Sequence, residues 1–232
     1  MVIAIDAHRI AYMALPKAGC STVKAALAQI DPAVALPPEP AEVMQWHQIY
    51  PTRRFRPHRW EAYDHGWWRF CVVRDPLRRM LSAYVNRVVE LGELRNSRKL
   101  LRGRVDLPMD PDPDFFFCNI AAYMDAASAI RHHMLPAWLF LGPDLARYDQ
   151  IYRTAELAQL GRDLSARTGL RVDIRHENSS CLRLGLDDLR PDTQAALRER
   201  LAPEYLYFSG MFDNPFVTGR ERACVAALRR VS

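Results

Sequence analysis

Residues 12–24 read Tyr-Met-Ala-Leu-Pro-Lys-Ala-Gly-Cys-Ser-Thr-Val-Lys. An apolar run from Ile10 to Leu15 stops at Pro16, and a loop with Lys17, Ala18, Gly19 and Cys20 follows. A helical pattern then starts at about Ser21, placed as its cap. A strand that passes through a small-residue loop into a helix N-terminus makes an anion cradle. The first-turn N–H groups are unpaired there and carry a partial positive charge. Lys17 adds a full charge, and Ser21 and Thr22 add hydroxyl donors. The loop is not a Walker A, in which the lysine follows the second glycine. Here it comes early, directly after proline.

A second junction of the same kind lies downstream. Arg-Phe-Cys-Val-Val (69–73) is a β-branched and aromatic run that predicts a strand buried on both faces. Pro76 opens a helix, where its missing N–H costs nothing. Leu77, Met80, Leu81, Tyr84, Val85 and Val88 form an apolar stripe at helical spacing, with Arg78, Arg79, Ser82 and Asn86 on the other side. Arg74 falls at the carboxyl end of the strand, where open α/β sheets bind ligands. Its planar fork suits phosphate, and the Ser82 hydroxyl can complete the grip. A helix start with an Arg–Asp surface pair is the bland alternative. Two anion grips, each at a strand-to-helix junction, imply one ligand with two phosphate groups.

The rest of the chain fits an α/β protein. Residues 3–15 predict a hairpin, or a strand with a turn, around Asp6–His8. Residues 31–68 hold clustered prolines and four tryptophans (Trp46, Trp60, Trp67, Trp68), so short helices and loops are expected there. Residues 92–114 read as a loop, basic at first and then rich in Pro and Asp. Helices are expected over 115–131, 154–168 and 191–201, with short strands over 137–141 and 148–153. The tail 215–230 predicts a basic amphipathic helix. The expected architecture is one domain over 1–232, with a central, mostly parallel sheet, helices on both faces and a P-loop nucleotide-kinase-like topology.

Composition narrows the function. The chain has 232 residues and a net charge of +5, which suits an anionic ligand but is too modest to point to nucleic acid. Five scattered cysteines have no metal-ligand spacing and imply no disulfide framework. Asp6, His8 and Arg9 interrupt the first apolar residues, and no run long enough to span a membrane follows. A cytoplasmic location is the expectation.

Leu15-Pro-Lys-Ala-Gly-Cys-Ser-Thr-Val-Lys24 resembles the 5′-phosphosulfate loop of sulfotransferases, and Val73-Arg-Asp-Pro-Leu-Arg-Arg-Met-Leu-Ser-Ala-Tyr84 resembles their 3′-phosphate motif. The nearest branch by this resemblance is the carbohydrate sulfotransferases of chondroitin, HNK-1 and 2-O type. The resemblance implies 3′-phosphoadenosine 5′-phosphosulfate (PAPS) as donor, 3′,5′-adenosine bisphosphate (PAP) as product, and no metal. It places Lys17 on the leaving phosphate oxygen and Pro16 to Thr22 around the 5′-phosphate, with Arg74 and Ser82 on the 3′-phosphate. It also implies a base somewhat over twenty residues before the arginine. His47, 27 residues before Arg74, fits first, then His58; His65 and Glu61 are outside choices. His133 matches a family histidine before proline, which would line the acceptor side, or else cap a helix end. Arg95 and Arg98 can hold an acidic acceptor, or form a solvated loop. The acceptor would be a hydroxyl of a carbohydrate, glycoconjugate or small molecule. The rivals are a P-loop-like small-molecule kinase, which needs Mg²⁺ and a Walker lysine, and a non-catalytic protein that captures nucleotides or polyanions.

Overall fold

The computed structural model describes residues 2–36, 43–174 and 183–217. Four strands, β1 (Ile3–Ile5), β2 (Ile10–Met13), β3 (Trp68–Val73) and β4 (Gln150–Arg153), form one sheet in sequence order. β1 and β2 make the expected antiparallel hairpin around Asp6–His8, while β2–β3 and β3–β4 are parallel. The register pairs Met13 with Cys71 and Val73 with Arg153. Parallel pairing makes β2 and β3 end on the same edge. The loop after Met13 and the turn after Val73 therefore leave the sheet side by side.

The helices are α1 (Cys20–Ala28), α2 (Val43–Ile49), α3 (Pro57–Trp60), α4 (Pro76–Tyr84), α5 (Arg98–Leu101), α6 (Pro113–Cys118), α7 (Ile120–Ala126), α8 (Ser128–Met134), α9 (Trp138–Leu141), α10 (Leu157–Thr168) and α11 (Pro191–Tyr207). Strand residues alternate between two faces. Tyr12, Phe70 and Tyr152 pack with Val23 and Leu27 of α1, Trp46 of α2 and Leu160 of α10. Met13, Cys71 and Val73 pack on the opposite face with Trp60 of α3, Phe140 of α9 and Phe208 just after α11. Both faces are thus covered, as expected for mostly parallel strands. A further core joins the stripe of α4 to Phe116, Tyr123, Ile130 and Leu201.

The structure corrects several expectations. Ser21 is not the cap of α1: Gly19, at φ +72°, is the N-cap, and Ser21 is the second helical residue. Residues 137–141 hold α9 rather than a strand, since a short apolar run fits either state and the sheet ends at β4. The loop 92–114 contains a 3-10 turn at Glu93–Asn96 and α5. The helix expected over 115–131 is split into three pieces at Asn119 and Ala127, whose backbones leave helical geometry. Arg79 is not on an exposed side. It is fully buried, because α11 packs over that flank of α4 and brings Glu204 to it. α11 also runs six residues past the expected 201, to Tyr207. Most of the tail 215–230 lies outside the described residues.

Candidate anion-binding and transfer site

Pro16 to Thr22 occupy the loop after β2 and the first turn of α1. The helix enters through Gly19 without a side-chain cap, so its N-terminal amides face the loop concavity. Lys17 has φ +64°, a left-handed conformation that costs a non-glycine residue about 1–2 kcal/mol. Two contacts hold it. Its Nζ donates to Asn86 Oδ1 at 2.8 Å, and its backbone carbonyl accepts from Arg74 Nη1 at 3.0 Å. The two sequence motifs therefore touch directly.

Arg74 follows β3, and Asp75 caps α4 by accepting from the Arg78 N–H at 2.8 Å. Tyr205 of α11 braces the cap, donating to Asp75 Oδ2 at 3.0 Å. Half-buried Ser82 lies one turn before Asn86, so both share one face of the helix. Asn86 sits in a π-helical turn, Val85–Glu90, that continues α4. Such turns aim side chains away from regular helical spacing.

His47 of α2 reaches the same place. Its Nε2 is 3.1 Å from Ser21 Oγ, and its Nδ1 is 2.9 Å from Lys24 Nζ. Lys24 also donates to Thr52 Oγ1 at 2.7 Å. His133 Nδ1 lies 2.8 Å from the Ala129 carbonyl, which can only accept, so that nitrogen carries the proton. Arg87, paired with Glu93 at 2.8 Å, acts through its charge on Lys17, His47 and His133. Burial, and next the Arg87 charge, lower Lys17 to about 8 and His133 to about 3. Burial, and next Lys24, lower His47 to about 4. Arg74 is also lowered, by burial and then by Arg78.

Other candidates are not drawn into this cluster. His58 is exposed on α3, and His65 and Glu61 are exposed before β3. Arg95 is exposed and doubly bonded to Asp110 at 2.9 Å, and Arg98 is exposed on α5. Trp46, Trp60 and Trp68 are core residues. Asn86, Arg87 and Lys24 were not singled out from the sequence. The spacing put Asn86 on the polar side of its helix, but nothing local pointed to Lys17 as its partner. A cleft of about 260 Å³ is lined by Arg54, Phe55, Arg56, Trp138, Leu139 and Pro143. The Arg54 charge acts on His132 of α8.

Chemically, this is a cationic place at the carboxyl ends of two parallel strands, able to hold anions and to position an uncharged imidazole beside them. Among the described residues no group of His, Cys, Asp and Glu could hold a metal ion, and no helix is long and apolar enough to cross a membrane. The sulfotransferase family model matches residues 1–183, and the chain belongs to that family. No curated protein and no solved structure matches it. The chain is thus a transferase of sulfuryl groups.

Proposed function

We propose that the chain transfers the sulfuryl group of PAPS to a hydroxyl of a carbohydrate, glycoconjugate or small-molecule acceptor, releasing PAP. Pro16 to Thr22 cradle the 5′-phosphate, and Lys17 neutralises charge on the leaving phosphate oxygen. Arg74 and Ser82 hold the 3′-phosphate. In-line sulfuryl displacement resembles phosphoryl transfer, in which positioning and charge neutralisation dominate. His47 is the general base: its imidazole is uncharged at neutral pH, and Ser21 Oγ in the first turn of α1 lies 3.1 Å from Nε2. His133 and the cleft with Arg54 and Arg56 form the acceptor side, which favours an acceptor with its own negative charge. The reading includes a single sulfotransferase domain over 1–232 with P-loop nucleotide-kinase-like topology.

The observation that carries this reading is the contact from Arg74 Nη1 to the Lys17 carbonyl, because it supports one nucleotide bridging both grips. The test is transfer of labelled sulfate from PAPS across a panel of glycans and small alcohols. Transfer that disappears in Lys17→Ala and in His47→Gln supports the reading. A nucleotide preference for ATP with Mg²⁺ over PAP in thermal shift contradicts it and favours a kinase.

A further inference from the structure

Lys24 is completely buried on α1. The charged or titratable groups that face its amine are Cys20, one turn earlier on the same helix, His47 of α2 and His132 of α8. Those that face His47 are Lys24, Lys17 of the loop, Arg87 of the π turn and His132 of α8. Among the described residues no carboxylate joins them. Burial therefore lowers the Lys24 ammonium to about 8, and His47 stays uncharged above about 4. What remains open at His47 is its tautomer, and its two hydrogen bonds decide it.

With an ammonium at Lys24, Nδ1 must accept. The ring proton then sits on Nε2, which can only donate to Ser21 Oγ. An uncharged amine at Lys24 gains a lone pair, so Nδ1–H can donate to Nζ and leave the Nε2 lone pair free on the side of Ser21. Thr52 Oγ1 accepts from Nζ in both states.

We propose that Lys24 is a positioning residue that selects the His47 tautomer, so that His47 takes the acceptor's proton at Nε2 only when Lys24 is an uncharged amine. This rests on the reading of His47 as the base. In the transfer step the acceptor hydroxyl proton goes to Nε2 and the Nδ1 proton passes to Lys24 Nζ. The acceptor oxygen bonds to sulfur as the bond from sulfur to the nucleotide phosphate oxygen breaks. The pair ends as neutral imidazole beside an ammonium, which releases one proton to solvent before the next turnover.

The test is nitrogen NMR of the full chain labelled with ¹⁵N-histidine, titrated from pH 6 to 10 without nucleotide or acceptor, with His47→Gln to assign the signals. The expected result is a proton on Nε2 at the acid end and on Nδ1 at the basic end, with a midpoint near 8 that vanishes in Lys24→Met. His47 nitrogens that keep one tautomer across the range in the natural chain overturn the proposal, and that outcome needs no variant to fold. An unchanged midpoint in Lys24→Met overturns it as well. A failure of the base reading is seen separately: transfer surviving His47→Gln removes the catalytic half of the proposal while the tautomer titration still stands. An inactive His47→Gln with no titration removes only the role of Lys24.

Discussion

Arg74 donates through Nη1 to the backbone carbonyl of Lys17 at 3.0 Å, across 57 residues of sequence. The guanidinium thus fixes the loop backbone that aims the lysine, and its remaining N–H groups stay available to an anion. Lysine at this position keeps the charge but loses the fork. A hydrogen bond from a charged donor contributes about 1.5–3 kcal/mol, so Arg74→Lys is expected to lower kcat/KM for the donor by about 10- to 100-fold. Steady-state kinetics with varied PAPS check this. An Arg74→Lys enzyme within twofold of the natural chain contradicts the role.

Lys17 sits in a left-handed conformation, partly buried beside Arg87 and Arg74, and burial lowers its ammonium to about 8. Both features oppose folding, which is the pattern expected of a residue kept for function. Lys17→Gly removes the backbone strain and the desolvated charge together. It is expected to raise stability by about 1 kcal/mol, a rise of about 2–4 °C in Tm for a chain of this size, while abolishing transfer. Calorimetric melting of the two proteins is the measurement; a lower Tm in the variant contradicts the account.

Arg79 and Glu204 form a pair at 2.8 Å with side chains 0% and 3% exposed. Arg79 also donates to the carbonyls of His133 and Leu135, so it ties α4, α11 and the end of α8 together beside the site. Removing the carboxylate leaves a buried cation unpaired. Glu204→Ala is expected to cost about 3–5 kcal/mol of stability. A loss under about 1 kcal/mol in urea titration shows that the guanidinium is paired or hydrated some other way.

Stability is expected to depend on pH through His133 and His47. Their folded values, about 3 and about 4, lie below the ordinary 6.5. Between 6.5 and these values the unfolded chain binds more protons than the folded one, so stability falls as pH drops through that interval. Urea midpoints at several pH values between 7 and 4 should decline, and His133→Gln should make the decline shallower. A midpoint that rises toward pH 4, or a slope unchanged by the variant, contradicts the assignment.

The two strand-to-helix junctions were legible because each rests on short-range signals. Pro16 and Gly19 punctuate one and Pro76 the other, and β-branched runs mark the strands. The stripe from Leu77 to Val88 is buried as its spacing demands. Long-range pairings were not legible. Nothing local to Arg79 tells that Glu204, 125 residues away, neutralises it. Nothing local to Asn86 or Lys24 tells that a π turn or a neighbouring helix brings them to Lys17 and His47. The run 137–141 failed for a related reason: whether five apolar residues form a strand depends on a sheet edge being free to receive them. His47 was reached by resemblance in spacing, and its contacts to Ser21 and Lys24 are what separate it from His58.

The proposed donor site requires one nucleotide to join the Lys17 and Arg74 grips. Calorimetric titration with PAP, 5′-AMP and 3′-AMP of the natural chain, Lys17→Ala and Arg74→Ala tests it most directly. One PAP per chain is expected, with Lys17→Ala weakening PAP and 5′-AMP and Arg74→Ala weakening PAP and 3′-AMP. Two PAP molecules per chain, or 5′-AMP and PAP binding together without competition, would contradict it.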